Sequence, residues 1–189
     1  MKILAISDRL PREKIDAILE KNRDVDLICT LGDLDYMSLR ELENIQNIPK
    51  LGVYGNHCSG TYFDVLGITD LHLKTFEYKG IVFGGFEGCV RYKEGSYGKM
   101  YTQEEAEELL KDFPSVDIML VHAPPYGIND ESDTLSHQGF YALKKYIETK
   151  KPKYLLHGHT YPKQDSLIKQ YQETKIIYVC MDQIVDIQI

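Results

Sequence analysis

The 189-residue sequence has no apolar stretch approaching the roughly 20 residues that a bilayer-spanning helix needs, so no membrane segment is expected. Its opening run, Met1 to Leu10, lacks the long apolar core and small-residue cleavage site of a secretion signal. A cytoplasmic location is the expectation. Paired cysteines are missing too. Cys29, Cys58, Cys89 and Cys180 are scattered with no C-x-x-C, which argues against a zinc ribbon or a redox dithiol. Cys29 and Cys180 fall in strand-like runs and read as buried thiols. Positive charge is scarce: 22 Lys and Arg stand against 29 Asp and Glu, a net charge of −7. An acidic surface repels a phosphate backbone, so long nucleic acid is a poor fit as a partner. A local phosphate site stays open, because a bound cation dominates its surroundings. Internal repeats, low-complexity runs and linkers are all lacking, and one domain over residues 1–189 is expected.

What is present is an alternation of strand and helix patterns. Lys2 to Ser7 is an apolar run ending at Asp8. Pro11 to Asn22 carries Ile15, Ile18 and Leu19 at helical spacing, with Pro11 suited to a helix start. Asp26 to Leu31 is a second buried run, followed by Gly32-Asp33. Tyr36 to Ile45 predicts a helix, and Leu51 to Tyr54 a strand before Gly55-Asn56-His57. Leu71 to Tyr78 and Ile81 to Phe83 flank Lys79-Gly80 as a hairpin. Gly84 to Tyr101, rich in Gly and Tyr, predicts no regular element. Thr102 to Glu105 has the form of a capping box, opening a helix to about Asp112. Asp117 to Val121 predicts a strand before His122, Phe140 to Thr149 a helix, and Tyr154 to Leu156 a strand before His157-Gly158-His159. The tail from Ser166 reads as two or three strands without a helix.

Asp8, Asp33, Asn56, His122 and His159 each fall just after a short apolar run. In open α/β sheets ligands bind outside the carboxyl ends of the strands, so separate strand ends can deliver these residues to one place. Carboxylate and imidazole suit divalent metals such as manganese, iron or zinc, and an Asn carbonyl oxygen is a further hard ligand. Such ions neutralise phosphate oxygens and acidify water, and a nearby histidine can protonate a leaving oxygen.

The order Gly32-Asp33, Gly55-Asn56-His57, His122, Gly158-His159 resembles the signature of the calcineurin-like metallophosphoesterase superfamily. The segment His122-Ala123-Pro124-Pro125-Tyr126-Gly127-Ile128-Asn129-Asp130, with His137-Gln138-Gly139, is similar to a branch of small bacterial phosphoesterases. The resemblance implies an α/β fold, a layered α-β-β-α sandwich with two mixed sheets. It implies divalent metal ions (Mn2+, Fe2+/Fe3+, Zn2+ or Ni2+) with Asp33 bridging, Asn56, His122 and His159 completing the second site, and Asp8 serving the first. It makes His57 the catalytic histidine; a phosphodiester or a small phosphorylated molecule is the expected substrate, since the short chain leaves little room for a large recognition domain.

Three departures qualify it. The family's Asp-x-His is here Asp8-Arg9-Leu10, and its Gly-His-x-His ends at Tyr161. Both missing histidines serve the first ion. The expectation is therefore one tight site and a second, weaker one completed by waters, Tyr161 or His157 as auxiliary ligands. Cys58 follows Gly-Asn-His where an acid is usual, and is a weak hydrogen-bond partner. Arg91 is a candidate phosphate clamp, weighed evenly against a solvated loop arginine. His137 is either near the site's mouth or a surface histidine, and His72 reads as structural. The competing function is a metal-binding scaffold for protein association, favoured by Leu10, Cys58 and Tyr161. Oligomeric state, native metal and physiological substrate are not legible.

Overall fold

The computed structural model describes residues 1–95 and 98–189. Along the chain run β1 (Lys2–Ser7), α1 (Ile15–Lys21), β2 (Leu27–Thr30), α2 (Tyr36–Leu39), β3 (Lys50–Gly52), α3 (Phe63–Leu66) and β4 (Thr69–Asp70). Then follow β5 (Thr75–Tyr78), β6 (Ile81–Phe86), β7 (Cys89–Val90), β8 (Met100–Tyr101), α4 (Gln103–Leu110), β9 (Ile118–Val121), α5 (Tyr141–Lys150) and β10 (Tyr154–His157). The chain closes with β11 (Gln170–Tyr171), β12 (Thr174–Tyr178) and β13 (Met181–Asp186).

These strands form two large mixed sheets, in the orders β13-β1-β2-β3-β4 and β11-β12-β10-β9-β6-β5, with β7-β8 as a small third. Strand alternation explains the layering, since successive side chains point to opposite faces. From β1, Ile3 and Ala5 join Leu27, Cys29 and Leu51 on the inner face, packed against Phe83, Ile118, Leu120 and Leu156 of the second sheet. Leu4 and Ile6 face outward onto Ile15, Ile18, Leu39 and Phe63. On the far face of the second sheet, Met119, Val121 and Leu155 pack against Leu110, Leu143, Tyr146 and Ile147 of α4 and α5. The result is the expected α-β-β-α sandwich. Central strands buried on both faces read as continuous apolar runs, which is why they are visible in the sequence.

Several local expectations hold in detail. Lys79 and Gly80 both have positive φ (52° and 75°), as a two-residue hairpin turn with the strands' right-handed twist requires. Thr102 Oγ1 accepts the Glu105 N–H and the Glu105 carboxylate accepts the Thr102 N–H, a complete capping box worth about 1 kcal/mol. The tail gives three strands, preceded by a single 3-10 turn at Gln164–Ser166.

Others are corrected. The first helix starts at Ile15, not Pro11, because Glu41 reaches over from a neighbouring turn to accept the Ile15 N–H at 2.7 Å. Residues Tyr36 to Asn44 make one α-turn and then a 3-10 segment, Arg40–Asn44. The Gly- and Tyr-rich stretch is not wholly irregular: β6 runs on to Phe86, and β7 pairs with β8 in parallel. Ser96 and Tyr97 of that stretch lie outside the described residues. Cys29 is fully buried as expected, but Cys180 is half-buried in the turn between β12 and β13. Among the described residues, no helix is long and apolar enough to cross a membrane.

Candidate metal centre

The sheets contain two parallel sets, β1-β2-β3 and β6-β9-β10-β12, whose carboxyl ends bring the site residues together. Asp8, Asp33 and His159 all leave their strands with positive φ, 63°, 52° and 67°. Backbones of this kind cost of order 1–3 kcal/mol each in non-glycine residues and persist only where the surroundings enforce them. Close approach of the strand ends needs glycine at positions 32 and 158, beside Asp33 and His159. A Cβ on Gly32 would lie 2.4 Å from the Gly55 nitrogen and 2.7 Å from His122 Nδ1. One on Gly158 would lie 2.0 Å from Ser7 Oγ and 2.4 Å from Asp8 Oδ2.

Backbone carbonyls fix which nitrogen of each histidine is free. His122 Nδ1 lies 2.7 Å from the Leu31 carbonyl, so it carries the proton and leaves Nε2 as a lone pair. His159 Nε2 lies 2.8 Å from the Ser136 carbonyl and carries its proton, leaving Nδ1. Asp33, His122 and His159 each offer one ligand atom within 4.8 Å of the others. Asn56 Oδ1 lies 3.1 Å from His122 Nε2, and Asp33 Oδ2 lies 3.4 Å from it. Asn56 Nδ2 is buried and, among the described residues, has no hydrogen-bond partner. Reversing that amide would give Nδ2 the His122 lone pair as an acceptor; instead the oxygen faces the cluster. Asn56 Oδ1, Asp33 Oδ2 and, once Nε2 gives up any proton, the His122 lone pair converge as donors that suit a cation.

The electrostatics agree with mutual stabilisation. Burial pushes the Asp33 carboxyl up, but His122 and the His57 N–H more than offset it, and the group is lowered to about 2. Burial pushes His122 down, but Asp33, Asp8 and the Leu31 carbonyl leave it above its ordinary value. Burial, with His122 next, lowers His159 to about 3, which keeps its ring neutral and able to ligate. Burial raises the Asp8 carboxyl.

A family model described as the calcineurin-like phosphoesterase superfamily domain matches residues 1–179. The chain belongs to the calcineurin-like phosphoesterase superfamily. Among solved structures, the crystal structure of TT1561 of Thermus thermophilus is similar at 19% identity and a TM-score of 0.63, covering 95% of this chain and 89% of that one. A second crystal structure gives the same TM-score, 0.63, at 15% identity, covering 93% of this chain and 89% of its own. At such identities these likenesses show the fold. No curated protein matches. The superfamily is one of metal-dependent phosphoesterases, and the donor set of Asp33, Asn56, His122 and His159 fits a divalent ion in kind and in convergence.

The other expected residues stand around this cluster as follows. Asp8 stands beside the three-residue cluster: both of its oxygens accept the backbone N–H of His159, at 3.0 and 3.1 Å. His57 is exposed, and its backbone N–H donates to Asp33 Oδ1 at 2.8 Å, so the residue is held at the cluster by its main chain. His157, expected as an auxiliary ligand, does not join. Its Nδ1 faces the Gly158 carbonyl at 3.1 Å, its Nε2 accepts from Asn129 Nδ2 at 3.0 Å, and burial lowers it to about 4. Tyr161, the other auxiliary candidate, is half-exposed, with the Arg9 guanidinium carbon 5.1 Å from its ring centre. Arg91 does not serve as a free clamp: its Nη2 donates to Glu105 Oε2 at 2.8 Å and to the Met100 carbonyl at 3.1 Å, bracing β8 to α4. Cys58 turns onto its own loop, with Sγ 3.2 Å from the Gly55 N–H donor and 3.4 Å from Tyr62 Oη. His137 does reach the site, edge-on to the His159 ring with centroids 5.6 Å apart, and Glu131 binds its Nδ1 at 3.0 Å. His72 meets the structural expectation, with Nδ1 accepting the Glu87 N–H at 3.2 Å.

Sequence reasoning missed two contributors. The Ser136 carbonyl orients His159, and a backbone atom leaves no signal in residue type. Asn129, with φ 58°, binds His157, donates to the Ile168 carbonyl at 2.9 Å and accepts the Ile168 N–H at 2.7 Å. It thereby ties the loop after β9 to the tail; its place in Ile128-Asn129-Asp130, a turn-prone pair, is the available clue.

Proposed function

We propose that the protein is a hydrolase of phosphodiesters or small phosphorylated molecules, using one tightly held divalent ion. Asp33, Asn56, His122 and His159 are the residues that hold it. The observation that carries the reading is the convergence of Asn56 Oδ1 and Asp33 Oδ2 on His122 Nε2, at 3.1 and 3.4 Å, with Asn56 Nδ2 unpaired among the described residues. When bound, the ion supplies charge against the phosphoryl oxygens and acidifies water. Leu31 and Ser136 hold the two imidazoles in the ligating tautomer, as outer partners do at metal sites generally. Exposed His57, anchored on Asp33, meets the substrate. The oxygen of water would form the new bond to phosphorus as one of its O–H bonds breaks, the ester P–O bond would break toward the leaving alcohol, and His57 would pass a proton to that oxygen and recover the one that water releases. The net charge of −7 favours small substrates over long nucleic acid.

The test is hydrolysis of bis-p-nitrophenyl phosphate by the manganese-loaded protein and by His57→Ala. The variant should lose about 100-fold or more in turnover, a typical general-acid contribution, with metal content unchanged. Parallel loss of metal would move His57 into the ligand set and refute its assignment.

A second reading, a metal-binding scaffold for protein association, is favoured by the engagement of both Asp8 oxygens and by the 63% exposure of Leu10 beside the site. Tight manganese binding with no turnover of any phosphoester in a panel would select it.

A further inference from the structure

The bidentate bond from Asp8 to the His159 N–H does more than join two strand ends. Arg9 follows Asp8 directly, and Tyr161 follows His159 by two residues, so the bond sets these two side chains together. The Arg9 guanidinium carbon lies 5.1 Å from the centre of the Tyr161 ring. Both side chains are exposed, Tyr161 at 49%. Among the described residues Arg9 has no carboxylate partner, unlike Arg91, which Glu105 neutralises. A guanidinium resting on an aromatic face is held in place while N–H donors of its fork remain for a ligand.

Charge shows what such a group is suited to meet. A divalent ion held by the Asp33 carboxylate and neutral imidazoles would carry a single net positive charge, and the Asp8 carboxylate beside the cluster would reduce it further. A phosphate monoester brings two negative charges near neutral pH. The acidic chain supplies little long-range compensation, since its net charge is −7. A planar guanidinium fork matches phosphoryl oxygens bidentately.

We propose that Arg9, stacked on Tyr161, binds the phosphoryl oxygens of the substrate at the rim of the metal centre, giving the site one metal ion and one guanidinium as its two cationic partners. The proposal rests on the reading of the cluster as a phosphoester site. It implies a preference for terminal phosphomonoesters over diesters, because a monoester presents more charge and more oxygens to the fork.

The test uses the full-length, manganese-loaded protein with inorganic phosphate as the probe, followed by calorimetry, alongside hydrolysis of p-nitrophenyl phosphate and its bis ester. Arg9→Ala should weaken phosphate about tenfold or more and raise KM for the monoester by a similar factor, the size expected for lost charge-assisted hydrogen bonds. Manganese affinity and melting temperature should not move. Arg9→Lys should recover part of the phosphate affinity, since the charge returns without the fork. Tyr161→Ala should give a smaller loss, about threefold, as the stack disappears. Phosphate affinity in Arg9→Ala within twofold of the parent would overturn the proposal, even where the parent hydrolyses esters. Arg9-dependent phosphate binding in a protein that hydrolyses nothing would support this proposal while removing the hydrolase reading.

Discussion

The carboxylate of Asp8 accepts the backbone N–H of His159 with both oxygens, at 3.0 and 3.1 Å, linking positions 151 residues apart. Both residues have positive φ, and the bond is part of what enforces it. Asp8→Ala leaves the His159 N–H without its acceptor and the left-handed turn without its restraint. We expect a loss of about 2 kcal/mol in urea unfolding of metal-free protein, and weaker metal binding. Asp8→Asn keeps one acceptor oxygen and should lose about half as much. Equal midpoints for all three proteins would show that the bond is idle.

Metal removal should be read directly in stability. A ligand that binds only the folded state at a hundredfold excess over its Kd stabilises by about 2.7 kcal/mol. Chelation should therefore lower the melting temperature, and manganese should restore it at one ion per chain. His122→Ala should abolish the restoration, because Nε2 is the lone pair nearest both Asn56 and Asp33. Titration to two ions of equal affinity would contradict a one-ion centre.

The strand ends are readable because central strands are apolar without interruption, so each run stops visibly at Asp8, Gly32-Asp33, His122 or His157. The inward side chains are readable by chemical type. What escapes is supplied by contacts distant in sequence or by the main chain. Glu41 caps α1 from 26 residues away, which displaces the start predicted from Pro11. Ser136 acts through its carbonyl. Arg91 reads as a clamp by residue type, yet Glu105, on the capping box, holds it. The consequence of Leu10 and Tyr161 is legible only as a loss of two histidines; that Tyr161 stacks on Arg9 depends on how two distant turns meet.

Gly158 gives a test of the crowding at the strand ends. An added Cβ would sit 2.0 Å from Ser7 Oγ and 2.4 Å from Asp8 Oδ2, both in or beside the bond to His159. Gly158→Ala must push β1 and β10 apart. Overpacking of this kind costs about 1–3 kcal/mol, and here it should also weaken manganese binding as His159 shifts. Gly60, with open space around it, provides the control: Gly60→Ala is strained by its φ of 75° but crowds nothing, and should leave metal affinity intact.

Acid should expose the buried imidazole of His157. Burial lowers it to about 4 from an ordinary 6.5, and Asn129 and the Gly158 carbonyl hold it in one tautomer. Between those two values the unfolded chain binds a proton that the folded protein refuses. Stability from this residue therefore falls as pH falls through 6.5 toward 4, by about 3 kcal/mol in all. His72, also lowered to about 4 by burial, acts in the same window. His122, raised by Asp33, acts with the opposite sign, and Asp33, lowered to about 2, loses its contribution only below its ordinary 3.8. A comparison with His157→Gln isolates the one residue. In metal-free protein, the parent should lose about 3 kcal/mol more than the variant between about pH 7 and pH 4 in urea unfolding. Parallel pH profiles would mean that His157 is protonated as readily inside the fold as outside it, and the pairing with Asn129 would have to be redrawn.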